Sequence, residues 1–445
     1  MIEDYIKLFA EKQPQKIAII CDRQKVTYEQ LYDKIKKRAA EICQRFATNK
    51  HQQASLSSHR AIVFRSSQTI DFLVTYFAIH LSGNIAVPLE KDATEETFST
   101  IQKQVEHMIF PKEVADILFT TGTTGKSKGI MISHRAILAN ADNLKEAQGF
   151  NKDLVFIISG PLNHIGSLSK VYPTLMCGAT LYLLQGMKDL NAFYTALDYP
   201  CSKMATFLVP TNIRILLTFS SNRLHTYAHK IDFIETGASA ISQKDLDLLR
   251  KTLPTSRLYN TYASTETGII ATFNFNTPES KANCLGKAMK HSHFFITAEG
   301  RIACQGDTLM LGYVGDEEMT RLVLNNGTIY TSDNGEIDSE GRLHMLGRQD
   351  DVINIGGYKV APTEVEDVAL SLPDIKECIC IAAEHPVIGV VTKLLIVSEK
   401  DEIDKKSIAR FIASKLESYK VPIYYEKVDK IERTFNGKLN RKYYR

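Results

Sequence analysis

The sequence predicts an α/β protein with a large N-terminal domain and a small α+β C-terminal domain. Up to about residue 280, short apolar runs alternate with helix-like segments, which favours layered α/β subdomains with parallel strands. From about residue 284, short strands separated by glycines indicate a small β-rich subdomain. From about residue 350 the alternation of strands and helices returns. We therefore expect one domain over residues 1–348 and a second over residues 349–445.

The first elements are predicted from apolar runs and capping residues. Residues 5–45 have the pattern of a helix, a strand, a turn and a second helix. Thr27 has the position of an N-cap for the second helix, with Gln30 placed to complete a capping box. The polar, glycine-free residues 48–60 predict a surface loop. A strand, a helix ended by Gly83 and another strand are then expected at 61–64, 69–81 and 85–89.

The later elements continue this alternation. Ser133 is placed to cap a helix that runs to about Ala147. Further strands are expected at 156–158, 180–184, 205–209, 231–236 and 257–260. In the C-terminal domain we expect helices at 363–372 and 405–416 and strands at 379–381 and 393–397. Polar residues follow several strands of the N-terminal domain, and ligands bind α/β folds at the carboxyl ends of their strands.

Composition excludes several classes of function. The 445 residues carry a net charge of only +3, which gives no case for nucleic-acid binding, and the basic cluster at 34–38 fits a solvated helix face. No apolar run approaches the ~18 residues that span a bilayer, and the acidic start of the chain does not resemble a signal peptide. The eight cysteines are scattered, and the pair Cys378 and Cys380 has no second pair to complete a zinc site. Reduced thiols and a cytoplasmic location are expected.

A stretch rich in glycine, threonine and serine, residues 120–129 (TTGTTGKSKG), is the strongest candidate for a binding loop. Apolar runs enter and leave it, so it has the pattern of strand, loop and strand. Glycines allow backbone N–H groups to converge, hydroxyls add donors, and Lys126 and Lys128 add positive charge, which suits a polyphosphate. An ordinary hairpin turn is the simpler interpretation. A nucleotide-triphosphatase P-loop is excluded, because Thr120 stands where that motif needs glycine and a β-like run follows the lysine.

A third interpretation rests on six stretches in a fixed order. After the loop come residues 161–166 (PLNHIG), 262–266 (YASTE), 329–333 (IYTSD), 347–351 (GRQDD) and 436–438 (NGK). Together they resemble the AMP-forming acyl/aryl ligases of the adenylate-forming superfamily over nearly the whole chain. The resemblance implies ATP-dependent activation of a carboxylic acid to acyl-AMP, transfer to a thiol, and a small mobile C-terminal domain. It also implies that the loop binds phosphate through Thr120, Thr121, Gly122, Thr123, Thr124, Gly125, Lys126 and Lys128.

The resemblance assigns further roles in the N-terminal domain. Glu266 is similar to the magnesium ligand and Thr265 to the hydroxyl that contacts the α-phosphate; alone, this pair also fits a helix N-cap. Asp333 is similar to the carboxylate that accepts both ribose hydroxyls, although an Asp before a glycine is also a common turn residue. Tyr262 resembles a wall of the adenine site, and a buried core tyrosine is the alternative. Gly237, Ala238 and Ser239 resemble the opposite wall.

Roles near the domain boundary are implied in the same way. Lys438 resembles the lysine that bridges carboxylate and ribose during adenylation, where a flexible ammonium suits moving charge; on local sequence alone it is an ordinary tail lysine. Arg348 resembles the arginine near the ribose and Asp350 the hinge of the small domain. Gly356 and Gly357 would line a tunnel for a pantetheine thiol, unless they are ordinary turn glycines.

The chain also departs from the usual pattern. Ala263 and Ser332 replace common glycines, Asn354 stands where Lys is frequent, and Asn440 where Asp is usual. None of these removes a residue that adenylation requires. The segment between residues 89 and 120 is short for the family, so we expect a compact variant with a trimmed N-terminal subdomain.

The 161–166 segment bears on the substrate. Relatives that activate amino acids place an Asp near its start, and here no acid is present to pair a buried amine. The segment resembles acyl- and aryl-CoA ligases, with His164 at the pocket mouth, so we expect a fatty or aromatic acid, and the length is similar to that of o-succinylbenzoate–CoA ligase. The thiol is expected to be CoA, with the phosphopantetheine of an acyl carrier protein as the alternative. A non-catalytic module that binds nucleotide or acyl groups is the alternative from another class.

Overall fold

A computed structural model describes residues 1–48, 59–121, 127–355, 358–387, 389–433 and 439–444. The helices are α1 (Ile2–Lys12), α2 (Tyr28–Thr48), α3 (Ile70–Leu81), α4 (Glu95–Glu106), α5 (His134–Gln148), α6 (Ile165–Met176), α7 (Leu190–Leu197), α8 (Pro210–Thr226), α9 (Gln243–Thr252), α10 (Glu317–Val323), α11 (Pro362–Leu370) and α12 (Lys405–Ala413). The first strands are β1 (Ile17–Cys21), β2 (Gln24–Thr27), β3 (Ala61–Arg65), β4 (Ile85–Leu89), β5 (Val114–Thr121), β6 (Ser127–Ser133), β7 (Leu154–Ile158), β8 (Thr180–Leu183), β9 (Lys203–Phe207), β10 (Ile231–Gly237), β11 (Arg257–Ser264) and β12 (Gly268–Asn274). The remaining strands are β13 (Cys284–Ala288), β14 (Ser292–Ile296), β15 (Arg301–Gly306), β16 (Gly312–Tyr313), β17 (Leu324–Asn325), β18 (Thr328–Ile337), β19 (Leu343–Arg348), β20 (Ile353–Ile355), β21 (Tyr358–Val360), β22 (Glu377–His385), β23 (Gly389–Val397) and β24 (Tyr424–Lys427).

The largest sheet joins the predicted α/β layer to the β-rich segment. Its strand order is β14-β15-β18-β19-β13-β12-β11-β10-β9-β7-β8-β1-β2, with β17 paired to β18. The stretch from β11 to β1 is parallel, and the strands on either side of it pair antiparallel. The predicted α/β fold is confirmed. The β-rich segment continues the same sheet, because β12 pairs with both β11 and β13.

A second sheet carries the glycine-rich loop. Its order is β16-β6-β5-β4-β3, in which β3, β4 and β5 are parallel and β5 and β6 form an antiparallel hairpin. The Ser133 side chain caps α5, since its Oγ accepts a hydrogen bond from Ala136 N at 3.0 Å. Thr27 and Gln30 exchange the two hydrogen bonds of the predicted capping box. The predicted turn before α2 contains a further strand, β2, which pairs antiparallel with β1.

A buried polar network joins α3 to α1, α6 and strand β5 of the second sheet. His80 Nδ1 lies 2.9 Å from Glu3 Oε1, and its Nε2 lies 2.8 Å from Asp116 Oδ1. Tyr76 Oη donates to Asp116 Oδ2 at 2.7 Å, and Tyr172 Oη contacts the same oxygen at 3.3 Å. Burial alone would lower the pKa of His80, but the two carboxylates raise it to about 10. The network therefore holds a charged imidazolium inside the core.

The last part of the chain has its own apolar cores. The sheet of β22, β23 and β24 is covered by α11 and α12, and buried residues such as Val365, Leu394 and Ile412 pack together there. Cys378 and Cys380 are buried, free thiols on β22. No cluster of His, Cys, Asp and Glu that could hold a metal occurs within the described ranges. Nor is any described helix long and apolar enough to cross a membrane. The boundary at residues 348–350 stays a prediction.

Candidate active site

The two strands that flank residues 122–126, β5 and β6, pair as an antiparallel hairpin in the second sheet. Its register pairs Thr120 with Lys128, while the predicted phosphate-binding residues 122–126 lie outside the described part of the chain. A Cβ at Gly129 would lie 2.9 Å from Phe119 Cζ and 3.0 Å from Val314 Cγ2, so any larger residue would have to displace these side chains. Lys128 extends its ammonium over the ring of Tyr313, 5.4 Å from the ring centroid. The described part of the loop thus presents a positive charge beside an aromatic ring.

The carboxylate of Glu266 lies on the same cluster. Tyr313 belongs to β16, which pairs with β6, and its Oη donates to Glu266 Oε1 at 3.0 Å. Burial and the Glu266 charge both raise the pKa of Tyr313, so the phenol stays protonated as a donor. Thr265 and Glu266 lie in the turn between β11 and β12. The helix N-cap interpretation of this pair is therefore wrong, because an antiparallel strand and no helix follows it.

A second cluster surrounds Asp333. Tyr262 Oη donates to Asp333 Oδ2 at 2.8 Å, and Arg348 Nε lies 3.4 Å from Asp333 Oδ1. Arg348 also donates to Ser332 Oγ at 2.9 Å, so the serine that replaces a common glycine helps to orient the guanidinium. Asp333 lies within β18, opposite Arg348 on β19. It is thus a strand residue, and the interpretation as a turn Asp is wrong.

The end of β10 approaches the neighbouring strand closely. Gly237 pairs with Thr261, and a Cβ on Gly237 would lie 2.8 Å from the Thr261 carbonyl oxygen. Ala238 follows with φ of +66°, the left-handed region that a residue with a Cβ seldom adopts. Such strain is concentrated at ligand sites. Ser239 is exposed beyond this turn. Gly237 and Tyr262 therefore lie at the same edge of the sheet, as expected for two walls of one site.

His164 lies at the N-terminus of α6, where its side chain makes no capping hydrogen bond. Its Nε2 is 3.6 Å from Glu90 Oε1, and burial raises the pKa of that carboxyl group. Glu90 follows β4 directly, so the pair joins the second sheet to the start of α6. Both side chains are partly exposed, which is consistent with a position at the mouth of a pocket.

Several predicted residues cannot be placed. Gly356, Gly357 and Lys438 lie outside the described residues, and the side chains of Thr121 and Asp350 are not described either. Their assigned roles stay predictions.

Sequence reasoning missed two participants. Tyr313 and Glu90 contact predicted residues but carry no motif of their own. Tyr313 follows one of the glycines that indicated short strands, so its position on a strand could be inferred. Its contact with Glu266 depends on the pairing of β16 with β6, which are separated by about 180 residues and cannot be paired from the sequence.

Two family models match this chain, one in each of its two predicted domains. The AMP-binding enzyme family model matches residues 100–314, and the model of the AMP-binding enzyme C-terminal domain matches residues 364–438. The chain is 29% identical to 2-succinylbenzoate–CoA ligase of Staphylococcus aureus (strain JH9) over 338 residues, which cover 74% of this chain and 66% of that enzyme. It is 26% identical to the Bacillus cereus (strain AH820) enzyme of the same name, over 99% of this chain and 97% of that enzyme.

Solved structures share the fold. ATP-bound MatB from Rhodopseudomonas palustris superposes with a TM-score of 0.86 and 21% identity, covering 100% of this chain and 98% of that one. The o-succinylbenzoate CoA synthetase MenE of Bacillus subtilis, solved with the acyl-adenylate OSB-AMP, gives a TM-score of 0.81 and 22% identity, covering 98% and 97%. The order of motifs, the two family models and this shared fold agree, and the chain belongs to the AMP-binding enzyme family.

Proposed function

We propose that this chain is an AMP-forming acid–thiol ligase. It would join a carboxylic acid to AMP with release of pyrophosphate, and then transfer the acyl group to a thiol, with CoA as the favoured acceptor. Support comes from the two clusters around Glu266 and Asp333, which lie near the two ends of the same short segment, residues 262–266. A nucleotide that spans this segment would meet a carboxylate suited to ribose at one end and a cationic phosphate loop at the other.

The arrangement around Asp333 is the observation that carries the proposal. Tyr262 donates to one oxygen of this carboxylate and Arg348 lies beside the other, so both contacts fix its orientation. A single carboxylate held in this way is suited to accept hydrogen bonds from the two hydroxyls of a ribose diol. The neighbouring strand end at Gly237 and Ala238, where the backbones approach closely, is the proposed wall for the adenine base.

The cluster around Glu266 suits the phosphates. The attacking carboxylate and the α-phosphate repel each other, so charge must be neutralised at this end. Lys128 supplies a cation, Thr265 a hydroxyl, and Glu266 a carboxylate held by Tyr313. Mg²⁺ is commonly bound by one or two carboxylates together with substrate phosphates, and Glu266 fits that donor set. When bound, the ion would polarise the phosphate oxygens as a Lewis acid.

The remaining roles follow from the family. We propose Lys438 as the lysine of the adenylation step, Asp350 as the hinge and Gly356 and Gly357 as the thiol tunnel. His164 is placed at the mouth of the acid pocket. The relatives named for 2-succinylbenzoate make that aromatic dicarboxylic acid a necessary member of any substrate panel.

Acid-dependent exchange of labelled pyrophosphate into ATP tests the proposal. We expect exchange with at least one fatty or aromatic acid, abolished by Asp333→Ala and retained in Asp338→Ala, a partly buried carboxylate that directly follows the same strand, β18. No exchange with any acid of a broad panel would favour a binding module without catalysis. Exchange without consumption of CoA would favour a carrier protein as the acceptor.

A further inference from the structure

A buried ion pair joins α6 to the central sheet beneath the candidate site. Lys170 Nζ donates to Glu235 Oε1 at 2.8 Å, and the two side chains are only 2% and 0% exposed. Phe207 is the register partner of Glu235 on the next strand, and Lys170 Nζ lies 5.2 Å from the centroid of its ring. The three side chains thus share the sheet face that α6 covers.

This cluster shares helix α6 with Gly166 and lies beside the end of β10 at Gly237. A Cβ at Gly166 would lie 3.2 Å from the Phe207 ring, and a Cβ at Gly237 would lie 3.8 Å from it. Both glycines therefore lie close to the edge of the Phe207 ring, and the Lys170 ammonium also lies close to this ring. Six residues of helix separate His164 from Lys170, or about 9 Å of rise.

The hydrogen bonds of the pair are incomplete. Among the described residues, no donor reaches Glu235 Oε2, although it is fully buried. The Lys170 ammonium has three N–H donors, and one of them points to Glu235. A buried ion pair is a weak source of stability, because an apolar pair of similar volume is often as good. The stability of the fold therefore does not account for a half-satisfied pair in this position.

We propose that Lys170 and Glu235 select an acid that carries a hydroxyl group at the end remote from its reacting carboxylate. Such an acid is an aromatic or short aliphatic hydroxy acid. The inference rests on the proposed ligase function and specifies its substrate. The Lys170 ammonium donates to the hydroxyl oxygen, and the hydroxyl proton is donated to Glu235 Oε2. This satisfies both groups without adding net charge. A second carboxylate would add a buried negative charge next to Glu235, and an alkyl tail would leave both groups unsatisfied.

Matched acids test the inference in the full-length protein. The panel pairs benzoate with 4-hydroxybenzoate and hexanoate with 6-hydroxyhexanoate, and adds adipate and 2-succinylbenzoate as dicarboxylic acids. Sites built to hydrogen-bond a substrate hydroxyl reject analogues that lack it by as much as about 10⁴-fold. We expect kcat/KM for pyrophosphate exchange to favour one hydroxy acid over its matched partner by at least about 30-fold. A ratio near one for both pairs, or a preference for a dicarboxylic acid, would overturn the inference while leaving the ligase function intact.

The double variant Lys170→Met/Glu235→Leu gives the complementary test. It removes both charges at similar volume, so we expect a folded enzyme in which the hydroxy-acid preference falls to near one. Arg214→Met/Asp245→Leu removes another ion pair, between α8 and α9, and should keep the wild-type ratio. If the double variant keeps the wild-type preference, the assignment to this pair is wrong. Should it fail to fold, the wild-type ratios alone decide.

Binding measurements separate the two proposals. Calorimetry of each acid in the presence of α,β-methylene-ATP needs no turnover. Tighter binding of a hydroxy acid without any exchange activity would support the inference and refute the ligase function. Equal binding within both matched pairs would refute the inference whatever the activity.

Discussion

The carboxylate of Asp333 provides a test of nucleotide binding at the scale of a single residue. Asp333→Asn keeps the size of the side chain but replaces one acceptor oxygen by a donor and removes the charge. Hydrogen bonds to charged groups contribute about 1.5–3 kcal/mol each, so loss of those to a ribose diol should raise KM for ATP by about 100-fold. Steady-state kinetics with varied ATP would show this. Asp338→Asn is the control. This carboxylate directly follows the same strand, and its partners are His344 and Arg342, which lower its pKa. An unchanged KM in Asp333→Asn would contradict the ribose assignment.

Lys438 is the residue with the most specific proposed role. Lys438→Ala should nearly abolish formation of acyl-AMP, because no other cation is assigned to bridge the carboxylate and the ribose. Thioester formation from supplied acyl-AMP should remain close to wild type, since in the proposed mechanism Lys438 acts only in the first half-reaction. The two half-reactions can be measured separately. Lys430→Ala is the matched control, as Lys430 lies near Lys438 in the chain and pairs with Glu432 at the surface. Equal loss in both half-reactions would refute the role.

The hairpin of β5 and β6 acts together with β16, and Tyr313 provides the connection between them. Tyr313→Phe removes the hydrogen bond to Glu266 while keeping the ring under Lys128. Loss of a hydrogen bond to a carboxylate costs about 1.5 kcal/mol or more, so exchange activity should fall by about 10-fold and half-maximal activity should need more Mg²⁺. Activity at varied Mg²⁺ concentration measures this. Tyr227→Phe removes a similar bond, to Asp198 at the surface, and should leave both values unchanged. A wild-type Mg²⁺ dependence in Tyr313→Phe would show that this contact does not support Glu266.

The elements that surround His80 predict how stability depends on pH. Glu3 of α1 and Asp116 of β5 contact the imidazole, and the ring of His134 of α5 lies 4.9 Å away, centroid to centroid. Because the pKa of His80 is raised to about 10 in the folded state, its contribution to stability is complete below about pH 6.5 and is lost as pH rises toward 10. Burial and the nearby His80 charge lower the pKa of His134 to about 4. The unfolded state therefore binds this proton more readily, so His134 lowers the free energy of unfolding as pH falls below about 6.5.

We therefore expect the free energy of unfolding to fall between pH 7 and pH 9.5. One unit of pKa difference corresponds to about 1.4 kcal/mol, and the loss should be at least this large. Denaturant unfolding across this range measures the change, and NMR of labelled histidine should find the His80 ring doubly protonated at pH 8. A neutral ring at that pH would contradict the predicted charge of the network.

At the scale of the whole molecule, the sequence predicted what is local or ordered along the chain. Alternating apolar runs fixed the α/β class, and the order of six motifs indicated the family. Contacts between distant strands were out of reach. Lys170 lies in a helix of ordinary composition, and only the packing of α6 against the sheet places its ammonium beside Glu235 as a buried charge. The turn at Thr265 and Glu266 was open to a helical interpretation because capping residues and hairpin turns use the same residue types.

Arg441, a largely buried residue near the end of the chain, is held against α11. Arg441 donates to both oxygens of Glu366 on α11, at 2.7 and 2.6 Å, and its Nε lies 3.6 Å from Asp351 Oδ2, next to the proposed hinge. Burial raises the pKa of Glu366 although Arg441 acts to lower it. One side chain thus connects the tail, the helix and the start of the small domain.

Arg441→Met should therefore loosen the tail and the hinge together. Removing one partner of a buried ion pair costs about 3–5 kcal/mol, because the other charge is left unpaired. The double variant Arg441→Met/Glu366→Leu should recover most of this loss, since no buried charge remains. Arg433→Met is the control, because its partner Glu377 is one-third exposed and surface pairs contribute about 0–1 kcal/mol. Hydrogen exchange over residues 349–445 and denaturant unfolding measure the effect. If the single Arg441 variant were as stable as the Arg433 control, the guanidinium would not be what holds residues 439–444 to α11.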